Sequence, residues 1–269
     1  MLLRRVTKHV KEQDWFAVFL DFVIVVIGIL IAFQITNYSQ SLTQQDELRR
    51  AEDALQYDFR QNYFNAKERI SLRDCRIEQL RNLADPLLEP GENWAGATLI
   101  DLPGTAPVGA SESSESTHAI APVLRSPSRR WGSRVWVAEL ARGTFAPMEA
   151  NRRDMLDGLF DQTEHAERLQ RQIQALQSRL KILSQPMVLK QQDRLRYLDV
   201  ITEIDETSFF LEIISAQILD ALESIDITAD EATRENFLSF WEGYNESRLA
   251  QYGACVNSFE LPFLDPPAR

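Results

Sequence analysis

Three carboxylates, Asp157, Asp161 and Glu164, recur at four- and three-residue steps and so share one face of a helix. Together with acids on a neighbouring helix, such a row could hold a metal ion. The di-iron form of that chemistry pairs Glu with a Glu-x-x-His step on a helix, and the chain's one such step, Glu115 to His118, falls in a loop. Its three histidines, His9, His118 and His165, fall in a basic leader, a loop and a helix, and only His165 has acidic neighbours, Glu164 and Glu167. Those neighbours flank it in sequence and do not share its helix face. There is no HExxH, no CxxC pair, no Gly-rich phosphate loop and no Gly-x-Ser-x-Gly elbow. The expectation is a protein that is not an enzyme and uses neither a metal nor a cofactor.

The other reactive pair is Cys75 and Cys255, the only cysteines. On the exported side of a bacterial membrane, an even pair invites a disulfide. Two unrelated buried thiols are the alternative, because Cys is often a small core residue.

The elements that position these residues begin with an apolar run from Trp15 to Ile35, broken by Asp21 and Gln34. About 20 apolar residues suffice to cross the roughly 30 Å hydrocarbon core. Arg4, Arg5, Lys8 and Lys11 precede the run, and Thr36 to Gln45 carry no Lys or Arg. The positive-inside rule therefore places the N-terminus in the cytoplasm and the bulk of the chain outside it. Residues 1–14 read as a cytoplasmic leader and 15–37 as a single-pass signal anchor in the bacterial inner membrane. A cleavable signal peptide is the competing reading, with Ser39-Gln40-Ser41 as its processing triplet. The apolar run exceeds the usual 7–15 residues of a cleaved signal, which favours the retained anchor.

Within the span, Ala17, Asp21, Val25, Gly28 and Ala32 fall on one helix face, with Gly28 and Ala32 as a small-xxx-small pair. That face could pack against a second copy or another membrane protein. Alternatively, Asp21 sits at the cytoplasmic rim near Lys11 and Gly28 is incidental.

These residues carry a resemblance. His9, Val10, Gln13, Trp15, Leu20, Asp21, Phe22, Ile24, Val25, Val26, Gly28, Gln34 and Asn37 match a motif of a family of uncharacterised bacterial proteins, each with one N-terminal membrane helix and a helical body. Asp14 and Tyr38 depart from it, standing where that family has Asn and Trp. A weaker likeness covers Trp136 to Phe160, a short helix, a turn at Arg142-Gly143 and a new helix. The resemblance implies membrane attachment and an α-helical exterior, and no activity.

Beyond the anchor, apolar positions from Leu48 to Ala84 follow a helical period, which predicts a stalk over 38–85 ended by Asp85-Pro86. At 1.5 Å per residue, its stretch from Ser41 to Ala84 would extend roughly 65 Å. Residues 86–126, rich in Pro, Gly and Ser, predict a loop in which Trp94 and the stretch 97–102 dock as a short strand or turn. A helical bundle is expected over 127–255. Ser126-Pro127 opens a short helix through Ala141, and a seam from Met155 to Leu183 runs at alternating four- and three-residue steps. A further helix spans Val188 to Ser224. Its apolar stretch Phe209 to Leu222 is too short and too charged to cross a membrane, so it reads as buried core. Thr228 to Glu231 reads as a capping box for a last helix carrying Phe237, Trp241 and Tyr244. Residues 256–269 read as an extended tail.

The fold class is therefore all-α, a transmembrane helix continuing into an elongated antiparallel, coiled-coil-like bundle. The net charge of -11 is concentrated from Lys190 to Arg269, where 16 Asp/Glu oppose 6 Lys/Arg, so nucleic acid is not an expected partner. Expected partners are membrane lipid and either a second copy or an envelope protein. A membrane-anchored interaction or scaffold protein is the leading function. A ligand-sensing bundle working through a transmembrane partner is the alternative, because the 14-residue leader is too short for an output domain.

Overall fold

A computed structural model describes residues 15–97 and 129–264. The described chain is almost entirely helical. Helix α1 runs unbroken over Trp15–Ser71, and α2 over Arg73–Leu88. Then come the two-residue strand β1 (Asn93–Trp94), α3 (Arg134–Arg142), α4 (Ala150–Leu180) and strand β2 (Met187–Val188). Two long helices close the order, α5 (Gln191–Glu223) and α6 (Glu231–Tyr252).

The bundle core is a layer of three rods: α1 continued by α2, α4 and α5. Two clusters of buried side chains fix their directions. Leu55 and Phe59 of α1 meet Leu156 and Leu159 at the start of α4 and Ile218 and Leu222 at the end of α5. At the far end, Leu80 and Leu87 of α2 meet Leu180 and Leu183 beyond α4 and Val200 and Ile204 of α5. Helix α5 is thus antiparallel to both other rods. The seam predicted from Met155 to Leu183 forms much of this interface: Leu159, Ala166, Ile173, Leu176, Leu180 and Leu183 are buried.

Several boundaries differ from the sequence expectation, each for a local reason. The stalk is not a free rod to residue 85, because from Ala51 onward α1 is a buried member of the bundle. Only Thr36 to Arg50, about 22 Å of helix, stands between the apolar run and the packed part. The rod breaks at Leu72, where the Ser71 carbonyl accepts a hydrogen bond from the Asn257 backbone N–H at 3.0 Å. Pro86 lies inside α2, which runs two residues further. The buried Arg194 guanidinium donates to the Pro86 and Glu89 carbonyls at 3.0 Å each, satisfying oxygens that a helix end leaves open.

The first part of the predicted 86–126 loop is docked. β1 pairs antiparallel with β2, Asn93 opposite Val188 and Trp94 opposite Met187. Trp94 is buried and its indole N–H donates to the Leu183 carbonyl at 2.7 Å. Gly96 has φ +93°, and an added Cβ would stand 3.1 Å from the Ser184 carbonyl oxygen, so this close crossing suits glycine. Ser126-Pro127 and the rest of the loop lie outside the described residues.

Helix α3 starts at Arg134, not beside Pro127, because 129–133 is held extended by the contacts described below. The fifth helix starts at Gln191, since Met187 and Val188 are spent on the ladder. Leu195, placed on its inner face by period, is exposed, and so are Phe209, Phe210 and Ile213, which the apolar stretch had suggested were core. The cap of α6 is Asp230, whose Oδ1 accepts the Thr233 N–H at 2.7 Å, whereas Thr228 is engaged by Gln56 and Arg60 of α1. Near the C-terminus, Pro262–Leu264 forms a 3₁₀ turn that seats Leu261 and Phe263 in the core.

Candidate functional site

Buried polar groups and clefts are the places where such a bundle could do chemistry. The most concentrated polar region is a stripe on α1, Asp58, Asn62, Asn65 and Glu68, all at most 4% exposed. Their steps of four, three and three residues put them on one side of the helix, where they grip the non-helical segment 129–133 and the first turn of α3. Asn62 exchanges two hydrogen bonds with the Gly132 backbone, donating to its carbonyl at 2.8 Å and accepting its N–H at 2.7 Å. Asn65 donates to the Arg130 carbonyl, and Gln170 of α4 to that of Arg129. Gly132 passes so close to α1 that a Cβ would lie 2.7 Å from Asp58 Oδ1 and 2.9 Å from the Asp58 Cα.

Glu68 is the charged centre of this region. Arg129 donates its Nε–H to both carboxylate oxygens, at 3.0 and 2.9 Å, and Tyr244 donates its hydroxyl to the same group. The Arg129 guanidinium lies over the rings of Phe64, Phe240 and Tyr244, with centroids 4.8 to 5.6 Å away. Burial, followed by the Glu68 charge, pushes the Tyr244 phenol well above its ordinary value, so it stays a neutral donor. Burial likewise raises the Asp58 carboxyl, opposed by the Val135 N–H and by Arg134.

Next to this cluster, Arg248 lies over Trp241, Tyr244 and Phe259 and donates to Ser71 Oγ and to the Asn257 carbonyl, both at 3.1 Å. Cys75 and Cys255 are joined in a disulfide that fastens the chain beyond α6 to α2. Phe237, Trp241 and Tyr244 thus pack around Phe64 as bundle core.

Chemically, this arrangement clamps. Every oxygen of Glu68 faces a donor of the chain itself, and the amides are spent on backbone. Asp157, Asp161 and Glu164 are exposed on the outer face of α4, where Glu164 pairs with Arg168 at 3.0 Å. His165 is exposed beside them; His9 and His118 lie outside the described residues. Among the described residues, no three His, Cys, Asp or Glu side chains gather where a metal ion could sit.

The residues proposed for membrane packing lie on the N-terminal part of α1, where no described side chain is buried. Asp21, Val25, Gly28 and Ala32 are exposed, and no heavy atom lies within 4 Å of a Cβ built on Gly28. Ala17 is on the same helix, with its side chain outside the description. A helix long and apolar enough to cross a membrane begins here, and none of its most apolar window is buried against the protein.

One open cleft of about 790 Å³ lies at the foot of the bundle, between Glu47, Arg50 and Ala51 of α1 and Arg142, Thr144 and Pro147 of the turn after α3. Gly143 closes α3 there with φ +77°.

The polar stripe was not anticipated from sequence. Its signal was present as polar side chains at helical spacing beside the apolar positions Leu55, Phe59 and Ala66, a pattern that a solvated face produces equally well. Compared with known proteins, the chain matches no family model, no curated protein and no solved structure at a significant level.

Proposed function

We propose that this protein is a non-catalytic, membrane-anchored interaction or scaffold protein of the bacterial cell envelope. In this reading α1 crosses the inner membrane once, with the N-terminus cytoplasmic and the bundle outside. The observation that carries it is that none of the most apolar window of α1 is buried, while the same helix continues as a buried rod of the bundle. Exposed apolar surface of that extent is costly in water and favourable in lipid. The polar centre supports a holding role, because Glu68, Asn62 and Asn65 are occupied by the chain's own groups.

The Ala17, Asp21, Val25, Gly28, Ala32 face is proposed to associate in lipid with a second copy or with another envelope protein. Gly28→Leu places a bulky side chain on that face and Ile29→Leu does not. In a membrane two-hybrid assay, Gly28→Leu is expected to weaken association and Ile29→Leu to leave it unchanged; equal behaviour would remove the stripe from the account. A reporter active only when exported, fused after Arg269, is expected to be active. The cleft beside Glu47 and Arg142 favours the second reading, an exported bundle that senses a small ligand through a transmembrane partner. A small molecule that binds wild type and loses binding in Arg142→Ala would establish that alternative.

A further inference from the structure

The outward face of α5 has an order that folding alone does not require. Asp199, Glu203, Glu206, Phe210, Ile213, Gln217 and Asp220 follow one another at alternating steps of four and three, so they form a straight exposed stripe about 30 Å long. Its middle is apolar and its ends are acidic. Phe210 is 57% exposed, Phe209 beside it 47% and Ile213 38%, with the two phenyl rings 6.2 Å apart. Side chains of this size left open in the middle of a packed helix mark a surface that another molecule covers.

The charge around them selects the occupant. From Tyr197 to Thr233 the chain has ten Asp and Glu and no Lys, Arg or His. Asp205 and Glu212 are neutralised by Arg76 of α2, and Glu203 stands 4.0 Å from Arg179. Among the described residues, Asp199, Glu206, Asp220 and Glu223 have no ion pair. A second copy laid on this face would bring two acidic arms together, the nearest cation of the stripe being Arg196, three residues before Asp199. Anionic lipid would be repelled in the same way.

We infer that this face docks a basic amphipathic helix of another protein, with apolar residues at its centre over Phe209, Phe210 and Ile213 and Lys or Arg at its ends opposite Glu206 and Asp220. This names the partner class of the interaction reading above and rests on it. The apolar centre supplies burial, and the acidic ends set orientation and the salt dependence of association.

The test uses the full chain in nanodiscs of zwitterionic lipid. The probe is an 18-residue synthetic helix with a leucine stripe, lysines at both ends and a photoreactive leucine at its centre. Crosslinks are expected on residues 203–220, with the signal falling at least tenfold in Phe209→Ser/Phe210→Ser. In Glu206→Gln/Asp220→Asn it should fall several-fold and lose most of its salt dependence. Because the substituted side chains are exposed, both variants should keep the wild-type melting temperature. Three results would overturn the inference: equal crosslinking by a peptide with glutamates in place of the lysines, undiminished crosslinking of the phenylalanine variant, or crosslinks joining α5 of two copies. If it fails while Gly28→Leu still weakens association in lipid, the docking face is lost and the anchored scaffold reading stands.

Discussion

The two halves of α1 are chemically inverted. From Phe19 to Ile35 the helix is apolar and exposed; from Ala51 to Ser71 it is buried, yet it carries Asp58, Asn62, Asn65 and Glu68. In water alone, both facts would be anomalies. In the proposed reading the first is resolved by a different solvent, since lipid makes exposure of Ile24, Ile27 and Ile31 favourable. The second is resolved by partners within the chain: the backbone of 129–135 for Asp58, Asn62 and Asn65, and the Arg129 and Tyr244 side chains for Glu68. Exposure and burial along one helix thus report what surrounds it more faithfully than they report its hydrophobicity.

The largest effect expected in the buried half comes from Glu68→Ala. It leaves the Arg129 guanidinium among rings with no carboxylate. Removing one member of a fully buried pair costs about 3–5 kcal/mol, and the 27% exposure of Arg129 lowers this to about 2–4 kcal/mol. Urea denaturation in detergent measures it. A loss below about 0.5 kcal/mol would mean that the clamp is not what holds 129–135.

Gly132→Ala should cost about 1–3 kcal/mol through the Cβ forced against Asp58, a backbone contact that cannot swing away. The same assay decides it. An unchanged midpoint would show that 129–135 does not sit against α1 as described.

The smallest effect is electrostatic. Burial raises the Asp58 pKa in the folded state, so the folded protein binds a proton more readily than the unfolded chain does. The stability this group contributes is full below the ordinary carboxyl value of about 4 and is lost as pH rises through the elevated folded value. Wild type should therefore gain on Asp58→Asn as pH is lowered from 7 towards 4, by under about 1 kcal/mol. Parallel pH profiles would contradict this.

Part of this contrast could be read in the sequence. The apolar half was legible because twenty-odd consecutive residues leave few alternatives, and the α4 seam because Leu159, Ala166, Ile173 and Leu180 repeat without exception. The buried half was legible only on its apolar side. Asn62 and Glu68 have partners 61 to 70 residues away, and local periodicity holds no information about a strap that arrives from there. The break at Leu72 was hidden for the same reason, since it depends on Asn257 capturing the Ser71 carbonyl. Phe209 and Phe210 misled in the opposite direction, because hydrophobicity suggested burial that the α5 period places on the outer face.

The central claim, that the apolar half of α1 lies in a membrane with the bundle outside the cytoplasm, is tested most directly by thiol accessibility in intact cells. Cys75 and Cys255 are paired, so single cysteines introduced as Ile27→Cys and Thr43→Cys can be followed with a membrane-impermeant maleimide. The account predicts that position 43 is labelled from outside and that position 27 stays unlabelled until the membrane is dissolved. Labelling at 27 in intact cells, or at 43 only after permeabilisation, would contradict it.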